Sequence, residues 1–275
     1  DDIHAQIKGQ KQLFTDKLNL DAENKTNLSN IVAGLQLSGD VAGGVSAAIN
    51  RIEGDTKALI EQSTILAQQN NSSTQVTSTA NDEGRVRSLV SMNGIAKSGA
   101  VAASIASNDI DKNTTNETNQ LTINNKKTSL DLKAVNHSDI AGFVGGIAAA
   151  SDTAANAAIT LNDINNATSS RINESELNIQ NVSVIATDKN IINSISAGLG
   201  ASGKLAGTGS VAINHAHSNT TAEIINGSNI IAANNVAVIA ESDKTINNYI
   251  GAVSVGLGQG ALGASMGWNK ITGKT

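Results

Sequence analysis

Three glycine-rich stretches and one histidine pair are the places where the residue types could carry chemistry. Gly198-Leu-Gly200-Ala-Ser-Gly203 has the spacing of a dinucleotide-binding turn, and Glu223 stands twenty residues on. Such a turn works by aiming backbone N–H groups and a helix N-terminus at a pyrophosphate. No helical pattern follows, and Leu205-Ala206-Gly207 reads on as strand. The same stretch continues into Gly203-Lys204-Leu205, which lacks the Ser or Thr that a phosphate-binding loop uses to hold Mg²⁺. Gly267 and Gly273-Lys274-Thr275 have five intervening residues where that loop has four. Gly263-Ala-Ser265-Met-Gly267 matches a nucleophile elbow, without a triad pattern after it. Gly- and Ser-rich sequence produces all three matches by chance. His215 and His217, two apart on one strand face with Glu223 nearby, are the weak candidates for a metal. No third ligand is spaced with them, so an exposed polar strand is the simpler reading. We therefore expect no catalytic residue, no cofactor and no enzyme.

Composition narrows what could position such groups. Hydrophobic residues make up 39% of the 275 residues, aromatics 1% and charged residues 16%. Aliphatic and alanine side chains must then form any core. The low charge argues against a solvated disordered chain. The net charge of −5 carries no basic block, which speaks against nucleic acid or an anionic membrane as partner. With no cysteine there is neither a disulfide framework nor a thiolate metal site. No proline interrupts the chain, which suits a backbone that is nearly all hydrogen-bond ladder. There is no run of about 18 apolar residues, hence no membrane-spanning segment of that kind. The chain starts at Asp1 without a signal peptide and stops inside a recurring pattern, which reads as a piece of something longer.

That pattern is the strongest signal. Ala22, Ala80, Ala134, Ala186 and Ala240 recur at steps of 58, 54, 52 and 54 residues in similar surroundings. Two positions earlier stand Leu132, Val184 and Val238, and six later Ile140, Ile192 and Ile246. Alternation at −4, −2 and 0 marks strands with one buried face. A second unbroken column holds Asn50, Asn108, Asn162, Asn214 and Asn269. Apolar residues at −3 and −1 from that Asn, but again at +2, predict a change of face, so we place a corner there. Each unit combines short strands among Gly, Ser and Asn with a Gly/Ala-rich half.

Short strands joined by corners predict an all-β, right-handed parallel β-helix with little or no helix. A unit of about 54 residues suggests two coils, about ten in all, stacking at roughly 4.8 Å into a rod near 50 Å. The chain would be one continuous solenoid over 1–275, with units near 1–49, 50–107, 108–161, 162–213 and 214–275. The alternative extrudes the Gly/Ala-rich halves as hairpins turning at Gly203-Lys204. The outward loops expected to make contacts are 51–57, 68–74 and 109–119.

Val211-Ala-Ile-Asn214, Thr221-Ala-Glu-Ile224 and Val236-Ala-Val-Ile-Ala240, with the Gly/Ala-rich stretch, resemble the large filamentous-haemagglutinin and leukotoxin class of secreted bacterial exoproteins. The resemblance covers nearly the whole chain and carries no catalytic residues. It implies an autotransporter or two-partner passenger at the bacterial surface or outside the cell. The expected role is an adhesive rod binding a host-cell protein or glycan, or other bacterial cells. A segment of a host-directed cytotoxin is the second expectation, and a β-helix carbohydrate-active enzyme the third.

Overall fold

Residues 2–68 and 72–275 are described by the computed structural model of the chain. The strands are β1 (Ile3–Lys8), β2 (Leu13–Phe14), β3 (Lys17–Ser38), β4 (Val41–Leu66), β5 (Thr74–Ala96) and β6 (Gly99–Asn124). They continue as β7 (Thr128–Ala150), β8 (Thr153–Asn173), β9 (Glu176–Ser202), β10 (Leu205–Ile225), β11 (Asn229–Gly256) and β12 (Gly260–Lys274). Strand accounts for 89% of the described residues and helix for none of them, and the architecture is a right-handed parallel β-helix.

The strands form two broad walls. Wall A stacks β3, β5, β7, β9 and β11 in parallel, and wall B stacks β4, β6, β8, β10 and β12. β1 and β2 add a partial row on β4. The repeat is the coil: Ala80 pairs with Ala134 and Asn108 with Asn162, each one full unit away. This corrects the expectation of two coils per unit. The rod has at most six rows, hence a height of about 24 Å at 4.8 Å per step. The strands are long because the backbone ladder runs on through inward polar residues, several of which pair with one another as Asn108, Asn162 and Asn166 do, so a polar residue does not end a strand. The Gly/Ala-rich halves are not extruded. A turn does lie at Gly203-Lys204, but β9 and β10 on either side of it pair with the coils above and below.

The Asn column is not a corner. Asn50, Asn108, Asn162 and Asn214 lie within strands and point inward. Each donates from Nδ2 to Oδ1 of the next, at 2.7 Å for the first three steps and 2.8 Å from Asn214 to Asn269. A Cβ on Gly142 of the facing wall would stand 3.2 Å from Asn108 Nδ2, so bare backbone there leaves the ladder its room. The real corner falls twelve residues later in each coil, at Gln62, Gln120, Glu174 and Asn226, all with φ between 48° and 54°. One left-handed residue there shifts the alternation by one, so Ile60 and Ile65, Thr118 and Leu121, and Ile172 and Leu177 all face inward. A short third side follows, at 63–66 and its registered positions.

That side opens one end of the coil into a wedge, and residue size follows the taper. Leu130, Leu132, Ile172, Leu177, Val182 and Val184 fill the wide end. Ala42, Ala100, Ala102, Ala148 and Ala154 fill the narrow one, with Met92. Ile110, Ile140, Ile164 and Ile192 form a file between them. Each such buried aliphatic contributes about 1.5–3 kcal/mol. Leu132, Val184 and Val238 share one ladder file as expected. The first two are buried, whereas Val238 is 44% exposed because β11 is the last row of wall A. Ile246 is half-buried for the same reason.

Polar groups occupy the middle of the wedge. Lys112 and Asp82 are wholly buried, with Nζ 3.1 Å from Oδ1 as an ion pair rather than an aligned hydrogen bond. Thr56 Oγ1 donates to the other Asp82 oxygen at 2.7 Å. A Cβ on Gly84 would come 3.2 Å from Ile110 Cγ2 and 3.7 Å from Lys112 Cε, so glycine leaves space for the lysine stem. Two coils on, Asp188 stands in the same file as Asp82 without a lysine opposite. Asn190 Nδ2 donates to it at 2.8 Å, and Asn166 Nδ2 at 3.3 Å. Burial raises the Asp188 carboxyl above its usual 3.8, against hydrogen bonds from Ser218, Asn166 and Thr168 and the charge of Lys244. A carboxyl raised on folding takes up its proton first in the folded state. Asp188 therefore weighs against the fold at neutral pH, and that cost shrinks as pH falls through its folded pKa toward 3.8.

Two stability measurements test this packing. Ile192→Asp should cost several kcal/mol in urea unfolding, as an unpaired charge in a closed file, while Val238→Asp should cost less than about 1 kcal/mol. Lys112→Met should cost about 3–5 kcal/mol by stranding Asp82, and adding Asp82→Asn should restore most of that loss. A double variant no better than the single would show that the pair is not the determinant.

Candidate functional site

Parity along the strands decides what faces outward. In both walls of the Gly/Ala-rich half the even positions point in and the odd positions out. On wall A the outward files begin at Ile31, Ala33, Leu35 and Leu37. The first contains Ile31, Leu89, Phe143, Ile195 and Tyr249, and the third Leu35, Asn93, Ile147, Leu199 and Val253. Between them runs a file of small residues: Ala33, Ser91, Gly145, Ala197 and Gly251. Wall B presents Ala47, Ile105, Ile159, Val211 and Met266 beside Ile49, Ser107, Leu161, Ile213 and Trp268. These are the residues at −3 and −1 from the Asn column. The sequence suggested that they lie inside; they lie outside, with Ile31 at 76%, Ile49 at 84% and Trp268 at 58% exposure.

No outward position in these files carries a charge. About 8–9 residues of strand by five rows give roughly 600–700 Å² of apolar face on each wall. The largest apolar patch on a typical monomer is about 300–600 Å², so each wall by itself reaches the top of that range. A shallow groove of about 390 Å³ runs along the first ridge of wall A, lined by Ile31, Leu89, Phe143 and Ile195 together with Arg87 and Asn193. The flank ends at turns that carry Asp40, Lys97, Asp152 and Lys204, the last two paired at 2.7 Å.

The other border is polar. The next outward file of wall B holds Arg51, Asp109, Asp163, His215 and Lys270. Arg51 Nε lies 3.3 Å from Asp109 Oδ2 and His215 Nδ1 3.1 Å from Asp163 Oδ1. Partial burial raises the Asp109 carboxyl; Arg51 opposes this, while Asp163, Asp111 and Glu53 add to it. Trp268 stands in the file next to this border, and Phe143 and Tyr249 stand next to the corresponding file of wall A, which holds Ser29, Arg87, Ala141, Asn193 and Asn247.

The histidines sit outward on β10. Thr272 Oγ1 lies 3.0 Å from His215 Nε2 and 2.9 Å from His217 Nδ1, and Glu223 is engaged instead with Arg171 at 3.7 Å. Among the described residues no group of three His, Cys, Asp or Glu could hold a metal. The three glycine motifs lie in strand or at a strand turn, and Gly198–Gly203 is followed by β10. Two of the expected contact loops, 51–57 and 109–119, are ladder positions of β4 and β6 instead. The third, 68–74, lies partly outside the described residues. No helix among the described residues is long and apolar enough to cross a membrane. No protein family, curated protein or solved structure matches the chain.

Since the outward side chains carry no core packing, the triple substitution Leu35→Lys, Ile147→Lys and Leu199→Lys should shift unfolding by no more than about 0.5 kcal/mol per site. It should also lower binding of the apolar dye ANS. A collapse in stability would place these residues in the core.

Proposed function

We propose that this chain is a contact-making rod segment of a surface-exposed, secreted bacterial exoprotein of the adhesive kind that its sequence resembles. The reading rests on the charge-free apolar flank. Laddered coils hold the outward side chains on a fixed grid, so their contact area needs no ordering of a loop before binding. A patch of that size, rimmed by Arg87 on wall A and by Arg51, Asp109, Asp163 and Lys270 on wall B, has the make-up of a macromolecular contact surface. The polar half of the coil, with its Lys, Asp, Glu and Asn outward, keeps the rest of the rod hydrated.

Beads coated with the chain should adhere to epithelial monolayers or to bacterial cells well above albumin-coated beads. Beads carrying the triple lysine variant should adhere several-fold less. Equal adhesion by the two coatings would remove the flank from the contact.

A further inference from the structure

Building on the reading of the flank as a contact surface, we infer that its occupant is the same flank of a second copy of this chain, packed wall A against wall A. Wall A has relief. The small file from Ala33 through Gly145 to Gly251 is a furrow between two ridges of large side chains. A two-fold axis brings a ridge of one copy over the furrow of the other, since an isologous contact needs only one self-complementary surface. Sheets pack face to face in this way at about 10 Å, through interdigitating side chains.

The area suffices. About 600 Å² from each copy buries roughly 1,200 Å², the lower end of the range for stable specific interfaces. No outward residue of wall A between positions 31 and 37, or registered with them, carries a charge, and Arg87, paired with Asp139, stands at the rim.

A lipid bilayer fits the same surface less well. A bilayer covering wall A would also meet the turns at its margin, which carry Asp40, Lys97, Asp152 and Lys204, and a charge at the bilayer centre costs about 2.5–3.5 kcal/mol or more. A second copy does not impose that cost.

Sedimentation velocity from 1 to 100 µM tests this. The chain should approach twice its 28.0 kDa as concentration rises. The triple variant Leu35→Lys, Ile147→Lys and Leu199→Lys should weaken association at least tenfold with an unchanged circular dichroism melt, and Leu199→Lys alone serves if the triple variant melts early. Leu161→Lys with Leu205→Lys on wall B should leave the dimer intact. A wild-type chain still monomeric at 100 µM would overturn the inference, as would a dimer that survives the wall A changes but not those on wall B. Monomers that float with neutral phosphatidylcholine vesicles would make lipid the occupant and equally overturn it. The two readings fail separately: a dimer whose coated beads do not adhere keeps this inference and loses the adhesive role. Adhering beads with a monomeric chain do the reverse.

Discussion

The hydrogen-bond ladder between residues one repeat apart is the constraint that everything else obeys. Because strands stack in parallel and in register, a residue is packed chiefly by its counterparts one unit before and one unit after. An inward position must therefore suit a whole file. The Asn file is the sharpest case, since Asn108, Asn162 and Asn214 each donate and accept along the rod axis. A substitution inside that file would leave an unmet group on both sides. The absence of proline follows from the same constraint.

The wedge section then assigns composition along the strand. Where a short third side holds the walls apart, Leu, Ile and Val fit. Where the walls meet at a two-residue turn, alanine fits. The middle accommodates amides and a buried ion pair where partners stand on both walls, as at Asn166 and Asp82. Asp82 and Asp188 share a file yet differ in what faces them. Lys112 pairs with the first, while amides and hydroxyls surround the second, with Lys244 further off. Local variation within a strict repeat thus sets electrostatics without disturbing register.

Much of this was legible in the residues. The period, the strand character and the shared file of Leu132 and Val184 follow from spacing alone. The coil length did not, because inward Asn and Ser resemble turn residues when the strand that carries them is unseen. The corner was misplaced for a related reason. Gln62, Gln120 and Glu174 are not residue types that advertise a left-handed backbone, whereas the Asn column is. The outward apolar files were hidden most deeply. Alternation normally separates in from out by polarity, and in the Gly/Ala-rich half both faces are apolar. Parity counted from Ala22 was the one available signal: Leu28 lies an even number of positions away, and Ile31 an odd number.

That loss of contrast is itself informative. A strand that needs only a dry interior has no reason to place Ile, Leu and Trp on its hydrated face, and exposed aliphatics carry a standing risk of aggregation. In this chain the feature recurs in coil after coil. It stays in the same half of the unit and stops at one border. The polar half shows that the same ladder tolerates Lys, Glu and Asn outside. The apolar flank is therefore not demanded by the fold, and the physical role left to it is to be covered by something else.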